Sequence, residues 1–172
     1  MPYEVLLQPK VEAEIAFGVS ADLDGPNIDM RMVQESVDWV AAALEIVDSR
    51  VADWDIRITD TISDNASSGL YVVSEYRIPL SRSDPSCVQM RMYIDGVLTS
   101  EGTGAACLGD PLRALLWLAQ TAQRFGHPLR AGQVVLSGAL GPMAPVSPNA
   151  RVTAEITTLG PVSVRFGDRP ER

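Results

Sequence analysis

The sequence is poor in basic side chains and has no long apolar run. Its 172 residues include 14 lysines and arginines against 22 aspartates and glutamates, a formal net charge of −8. A nucleic-acid backbone is bound through clustered lysine and arginine, so no nucleic acid is expected as a partner. No apolar stretch reaches the roughly 18 residues of a membrane span, and no signal-peptide pattern is recognisable. We therefore expect no membrane association and a cytoplasmic location.

Residues for nucleophilic, redox or zinc chemistry are also scarce. The two cysteines, Cys87 and Cys107, are far apart and form no Cys-x-x-Cys motif, which predicts two buried free thiols. The only histidine, His127, lies between Gly126 and Pro128, where a helix is predicted to end. That position disfavours a Ser-His-Asp triad, which requires a positioned imidazole.

The most informative pattern that is present is a strand with two acids on one face. In residues 11–17, VEAEIAF, alternate side chains point to opposite faces, so Glu12 and Glu14 share one face and the apolar side chains share the other. The two carboxylates are then about 6.5 to 7 Å apart along the strand, which suits a hard cation. Alternating acids are also common on exposed strands that bind nothing.

A third acid strengthens the interpretation as a metal site. Glu45 lies within the apolar run ALEIVD of residues 43–48. Burying a carboxylate without a partner is costly, so this position predicts a metal or a basic partner. The three glutamates together, Glu12, Glu14 and Glu45, therefore favour a site for a divalent cation.

The pattern of apolar residues predicts a strand-rich α+β protein. Alternation and short apolar runs bounded by turn residues predict strands. The predicted strands cover residues 11–19, 43–48, 56–59, 71–73, 88–94, 97–103, 134–137, 152–156 and 162–166. Asp95 and Gly96 predict a tight hairpin turn between two of them. The chain is long enough for one core of ordinary size, and we expect a single domain over residues 1–172.

Two helices are predicted. The apolar spacing between residues 33 and 44 approximates a helical period, which predicts a helix before the Glu45 segment. Asp110 and Pro111 predict the start of a second helix, which Gly126 ends. Residues 60–69 are rich in aspartate, asparagine and serine, which predicts a loop.

Several segments, in order and spacing, resemble a known enzyme family. They are QPKVEAEIAF (8–17), ALEIVDSRVADW (43–54), DTISDNASSG (60–69), GTGAACLGDPLRALLWLA (102–119), AGQVVLSGAL (131–140) and LGPVSVRF (159–166). With them, nearly the whole chain resembles the C-terminal catalytic domain of the 2-keto-4-pentenoate hydratase and 4-oxalocrotonate decarboxylase branch of the fumarylacetoacetate hydrolase superfamily. The resemblance implies a mixed β-sandwich roll.

The resemblance also implies a chemistry. The glutamates that match Glu12, Glu14 and Glu45 hold Mg²⁺ or Mn²⁺, and the substrates are small 2-oxo or 2-hydroxy dienoic acids of aromatic catabolism. The implied enzyme is a lyase that acts through a metal-stabilised enolate. It is a hydratase of 2-hydroxypenta-2,4-dienoate or, alternatively, a 4-oxalocrotonate-type decarboxylase. Ser67, with Ser68 beside it, matches the loop that contacts the substrate carboxylate.

Four polar residues near these segments have two interpretations. Asp48, Arg50, Asp60 and Asp64 are expected to orient the glutamates and the loops around them, as metal sites generally require. Hydrogen bonds that stabilise turns explain the same residues equally well.

One part of the family pattern is not matched. Full-length relatives carry roughly another third of a domain ahead of this region, and that segment supplies a catalytic lysine, so the catalytic residue is unknown for this chain. Lys10 is the only lysine, and we interpret it as a surface or edge residue. Two further hypotheses follow: a truncated or non-catalytic metal-binding subunit, and a partner subunit that supplies the segment. Since family members commonly assemble, a homo-oligomer is expected.

Overall fold

The computed structural model describes residues 1–168. In this part of the chain three α-helices accompany nine strands. The helices are α1 (Met30–Ser36), α2 (Ile58–Ser63) and α3 (Pro111–Arg124). The strands are β1 (Lys10–Val19), β2 (Val37–Val47), β3 (Ser68–Val73), β4 (Gln89–Ile94), β5 (Val97–Thr103), β6 (Val134–Leu136), β7 (Ala144–Pro145), β8 (Arg151–Ile156) and β9 (Gly160–Arg165). The predicted class, a strand-rich α+β protein, is confirmed.

The strands form two antiparallel sheets. One sheet has the order β3-β2-β1-β6, with β7 paired to the beginning of β1, and the other has the order β5-β4-β8-β9. Strand β2 of the first sheet packs against β8 and β9 of the second. Apolar side chains from both sheets and from α3 form one continuous core.

Strand β1 supplies the centre of this core. Val11, Ala13, Ile15 and Phe17 are all at most 1% exposed. These are the residues that alternation places on one face, so the predicted apolar face is confirmed. Burial of a side chain of the size of isoleucine or phenylalanine stabilises the fold by about 1.5 to 3 kcal/mol, which makes the orientation of β1 strongly determined.

The helix predicted between residues 33 and 44 is only partly present. Helix α1 ends at Ser36, and residues from Val37 onward belong to β2. The prediction was wrong for this part because β2 is buried on both faces over most of its length. A strand buried on both faces has a continuous apolar run, from which helical and strand periods cannot be distinguished.

The segment from residue 56 to residue 69 also differs from its prediction. Instead of a strand followed by a loop, it forms α2 and a short 3₁₀ turn at Asn65–Ser67. Ile58 and Ile62, both 73% exposed, are four residues apart and share one face of α2. The Asp60 carboxylate accepts a hydrogen bond from the Arg57 N–H at 2.8 Å, which stabilises the first turn of this helix.

Other local predictions are confirmed. Strands β4 and β5 meet at Asp95 and Gly96, which have positive φ angles of 50° and 82° as the tight hairpin requires. Asp110 caps α3 by accepting a hydrogen bond from the Leu112 N–H at 2.9 Å. Within residues 1–168, no helix has the length and apolar character needed to cross a bilayer.

The two cysteines differ from each other. Cys107 is buried and Cys87 is exposed, and both are free thiols. The prediction of a buried thiol is wrong for Cys87, which lies in a short 3₁₀ turn at Pro85–Cys87. Its sulfur donates to the Asp84 carboxylate at 3.3 Å.

Candidate metal centre

The pairing of β1 with β2 brings the three predicted glutamates together. Glu12 lies directly opposite Glu45, and Glu14 lies two residues further along the same face, opposite Ala43. One carboxylate oxygen from each glutamate lies within 4.8 Å of those of the other two. Like charges placed directly across a strand pair repel each other, so this arrangement is unfavourable unless a cation or a proton compensates it.

Glu14 is the most deeply placed of the three. Its side chain is 1% exposed, and its Oε2 accepts a hydrogen bond from the Gly138 N–H at 2.7 Å. Its other oxygen, Oε1, is buried and has no hydrogen-bond partner among the described residues. A buried carboxylate oxygen without a partner is costly, and coordination to a cation would satisfy it.

The electrostatics of the cluster agree with its geometry. Burial, followed by the charge of Glu45, raises the pKa of Glu14 to about 8. Burial, followed by the charge of Glu45, also raises the pKa of Glu12, and the positive charge of Lys10 opposes this rise. Burial raises the pKa of Glu45 as well. At neutral pH the cluster therefore binds either a proton or a cation. Three carboxylates offer only hard oxygen ligands, which fit a divalent ion such as Mg²⁺.

A cavity of about 500 Å³ opens beside Glu14 and Glu45. Apart from these two glutamates and Cys107, Ser137 and Gly138, its wall is apolar. The apolar lining consists of Leu108, Ala114, Trp117, Leu118, Val135 and Leu136. In the described part of the chain no basic residue lines this cavity. The centre thus has an acidic floor and an uncharged wall, formed largely by α3 and β6.

The turn after β6 holds the cavity wall against β1. The Ser137 hydroxyl accepts a hydrogen bond from the Ile15 N–H at 3.0 Å and donates to the Gly138 carbonyl at 2.8 Å. The Cys107 thiol donates to the Ser137 carbonyl at 2.8 Å. Burial, followed by the charge of Glu14, raises the pKa of Cys107, so this thiol remains a protonated donor. The N–H of Gly138 is thereby aimed at Glu14.

Sequence reasoning missed the role of Gly138. Its φ angle is 98°, and a Cβ atom there would lie 3.3 Å from the Cys107 sulfur. Glycine adopts this conformation without the steric penalty of other residues. The glycine within the segment 131–140 was a local signal for such a turn, but its contact with Glu14 depends on residues more than 120 positions apart.

The two predicted substrate-binding serines lie outside the cavity wall. Ser67 is buried, and its hydroxyl donates to the Asp64 carboxylate at 2.9 Å. Ser68 is paired with Val47, which is two residues along β2 from Glu45. Ser68 is therefore on the same sheet as the glutamates, and Ser67 ends the 3₁₀ turn just before it. Contact of either serine with a substrate stays a prediction.

The four surrounding polar residues organise loops and make no hydrogen bond to the glutamates within residues 1–168. The Asp48 carboxylate accepts the N–H groups of Leu7 and Gln8 at 2.7 to 3.0 Å. Arg50 donates to the carbonyls of Asp48 and Ser68, and it pairs with Asp64 at 3.5 Å. Asp60 caps α2 as described above. The structure thus shows the turn-stabilising interpretation of these residues, and a role in orienting the glutamates stays a prediction.

The sequence predicts Lys10 as a surface or edge residue, and the structure contradicts the edge position. It begins β1, a strand paired with β2 on one side and β7 on the other, so it is not at a sheet edge. Its side chain is half-buried, and its Nζ lies 4.1 Å from the centroid of the Trp54 ring. The interpretation as an edge residue is wrong because strand β7, which no pattern in the sequence predicted, covers this end of β1.

A family model matches nearly the whole chain. The model described as fumarylacetoacetate (FAA) hydrolase, C-terminal, matches residues 2–166. Among curated relatives, a 2-keto-4-pentenoate hydratase of Paraburkholderia xenovorans (strain LB400) is 49% identical over 166 residues, which cover 96% of this chain and 62% of the relative. A TodF product hydratase of Pseudomonas putida F1 is 50% identical over 161 residues, covering 94% of this chain and 60% of the relative.

A solved structure has a similar fold. A 4-oxalocrotonate decarboxylase from Pseudomonas putida G7, complexed with magnesium and adipate, superimposes with a TM-score of 0.91 at 31% identity, covering 96% of this chain and 63% of that chain. The same enzyme complexed with calcium and acetate gives a TM-score of 0.89. The chain thus spans a little over 60% of the length of the relatives it matches.

Proposed function

Since the chain belongs to the fumarylacetoacetate hydrolase family, we propose that it provides the metal centre of a lyase that acts on small 2-oxo or 2-hydroxy dienoic acids. The observation that carries this proposal is the convergence of Glu12, Glu14 and Glu45 within 4.8 Å beside an open cavity. Mg²⁺ or Mn²⁺ is the proposed ion, because three carboxylates leave part of the oxygen shell of such an ion for water or substrate.

The chain's own residues prepare the site for such an ion and its ligand. Bound there, a divalent ion would supply the positive charge that stabilises an enolate of a 2-oxo acid. Gly138 fixes one oxygen of Glu14 and leaves the other free. The apolar wall formed by α3 and β6 would accommodate an uncharged hydrocarbon tail.

A hydratase is favoured over a decarboxylase. The curated relatives at 40 to 50% identity are named hydratases, whereas the decarboxylase is 31% identical. Among the described residues, none that lines the cavity beside Glu14 and Glu45 is basic, so a second carboxylate on the tail of the ligand would have no partner from them. This arrangement favours a monocarboxylate with an uncharged tail, as in 2-hydroxypenta-2,4-dienoate, over a dicarboxylate.

The second candidate is a metal-binding subunit that needs further chain for turnover. The length covered in the relatives supports it, since about two-fifths of each relative lies outside the match. Trp117 and Leu108, which line the cavity, are 62% and 64% exposed. Exposed apolar residues at the rim of a site favour association, so we include self-association or a partner subunit in this candidate.

Calorimetric titration tests the metal centre directly. Wild type, Glu45→Gln and the control Glu75→Gln are titrated with Mg²⁺ and Mn²⁺ in the presence and absence of oxalate. Glu75 is an exposed glutamate that does not belong to the three-glutamate cluster. We expect wild type and Glu75→Gln to bind the ion more tightly with oxalate, and Glu45→Gln to lose binding. Failure of wild type to bind either ion would overturn the proposal.

Turnover separates the two candidates once the ion binds. Loss of the ultraviolet absorbance of 2-hydroxypenta-2,4-dienoate is followed with the Mg²⁺-loaded chain. Turnover by the chain alone would exclude the non-catalytic subunit. Ion and oxalate binding without turnover would exclude a self-sufficient hydratase.

A further inference from the structure

We propose that Lys10 is an anion-binding residue of the metal centre and contacts the carboxylate of the chelating ligand. The inference rests on the proposed metal site and deepens it, because it names the side chain that binds the carboxylate of a 2-oxo acid. Lys10 is the only lysine in the chain. The three glutamates alone could hold a metal ion without it, so the inference gives this lysine a separate role.

The position of Lys10 on its strand directs the side chain toward the centre. Lys10, Glu12 and Glu14 are separated by two residues each, so their side chains leave the same face of β1. Because β1 is paired on both sides here, the lysine side chain rises from the interior of the sheet. It is half-buried rather than free in solvent.

The ammonium group is held in place by an aromatic ring that is itself fixed. Lys10 Nζ lies 4.1 Å from the centroid of Trp54, a distance typical of a cation–π contact. Trp54 donates its Nε1–H to the Gln8 carbonyl at 2.9 Å. The Gln8 side chain in turn donates to the carbonyls of Ser49 and Val51. The cation is therefore preorganised and loses little freedom when a ligand binds.

No acid in residues 1–168 forms an ion pair with this ammonium. Among the described residues, every ion pair with an N to O distance of 4.0 Å or less involves an arginine, and the Lys10 ammonium donates no hydrogen bond. An ammonium has three donors, so a half-buried one without an acceptor offers them to an external anion.

Charge balance explains why the centre needs such a cation. Three carboxylates and one divalent ion leave a net charge of −1, which repels an anionic ligand. Arg50 is engaged with Asp64 and two backbone carbonyls, so it does not replace Lys10. Lys10 of β1 lies opposite Val47 of β2, and Val47 lies opposite Ser68 of β3. The lysine and the predicted substrate-binding serine are therefore in the same row of residues across the sheet.

Two titrations with Mg²⁺ and oxalate as probes test the inference. The first measures Mg²⁺ alone, and the second measures oxalate added to the Mg²⁺-saturated protein. They are carried out on wild type, Lys10→Met, Lys10→Arg and the control Arg31→Met, which removes an exposed cation of α1. We expect Lys10→Met to weaken oxalate about tenfold, the loss of one charge-assisted hydrogen bond. Lys10→Arg retains most of the affinity, and Arg31→Met changes nothing.

The Mg²⁺ titration distinguishes an anion-binding role from a structural one. Removing a positive charge beside Glu12 should leave Mg²⁺ affinity equal or make it tighter, while oxalate affinity falls. Unchanged oxalate affinity in Lys10→Met would overturn the inference and leave the metal site standing. Parallel loss of Mg²⁺ and oxalate with a lower melting temperature would also overturn it, since it indicates a structural role. Absence of Mg²⁺ binding in wild type would overturn both proposals.

Discussion

Glu14 should make the metal-free protein less stable as the pH rises. Its pKa is raised from 4.5 to about 8, chiefly by burial and by the charge of Glu45. Below pH 4.5 the group is protonated in the folded and the unfolded chain, and stability carries no penalty. Between pH 4.5 and about 8 the unfolded chain releases a proton that the folded chain retains, so the free energy of unfolding falls. Above about pH 8 both states are ionised and the loss is complete.

The size of the effect follows from the same pKa. Each pH unit in this window costs about 1.4 kcal/mol, so a rise from 4.5 to about 8 corresponds to at most about 5 kcal/mol. That is a large part of the free energy of unfolding of an ordinary domain, which is about 5 to 15 kcal/mol. A bound divalent ion replaces the proton, so saturating Mg²⁺ should remove the loss.

Denaturation in urea, followed by tryptophan fluorescence, measures this slope. Wild type, Glu14→Gln and the control Glu75→Gln are compared at several pH values from 5 to 8.5, with EDTA and with excess Mg²⁺. In EDTA, Glu14→Gln should be more stable than wild type at pH 8, although it loses the ion. A wild-type stability in EDTA that is independent of pH, or a Glu14→Gln variant that retains the full slope, would refute the reasoning.

Two substitutions test the surroundings of the centre. Gly138→Ala combines a positive φ angle with a Cβ atom 3.3 Å from the Cys107 sulfur. We therefore expect thermal unfolding to show a loss of stability of about 1 to 3 kcal/mol, and calorimetry to show a lower affinity for Mg²⁺. Gly126→Ala is the control, since its φ is also positive but no atom of the described residues would lie within 4 Å of the added Cβ, and it should leave Mg²⁺ affinity unchanged. Asp110→Ala removes the cap that binds the Leu112 N–H, and urea denaturation should show a loss of about 1 kcal/mol. Equal Mg²⁺ affinity in Gly138→Ala and wild type would contradict the role of the Gly138 N–H, and an unchanged stability of Asp110→Ala would contradict the role of the cap.

Local patterns predicted the parts of the molecule that depend on local geometry. The two faces of β1, the hairpin at Asp95 and Gly96 and the start of α3 at Asp110 follow from alternation, turn chemistry and capping, each of which acts over a few residues. The candidate acids were found for the same reason. Glu12 and Glu14 are marked by alternation, and Glu45 by its apolar neighbours.

The contacts that complete the centre depend on pairing between distant segments. The sequence does not show that Glu12 lies opposite Glu45, because this follows from the antiparallel register of β1 and β2. It also does not show that Gly138 reaches Glu14, or that β7 covers the side of Lys10. Burial of β2 on both faces removed the alternation that would have distinguished it from a helix.

The β1 and β2 ladder also determines where this chain tolerates changes in length. Removing Ala13 alone would turn Glu14 toward the core and Ile15 toward the cavity, because side chains alternate along a strand. The acids would be separated and the core would receive a charge at the same time. Residues 24–27, which connect the end of β1 to α1, lie at the surface and outside the ladder. Insertions at that connection would leave Glu12 opposite Glu45, so a protein engineer who wishes to add a tag or a sensor loop without disturbing the centre should place it there.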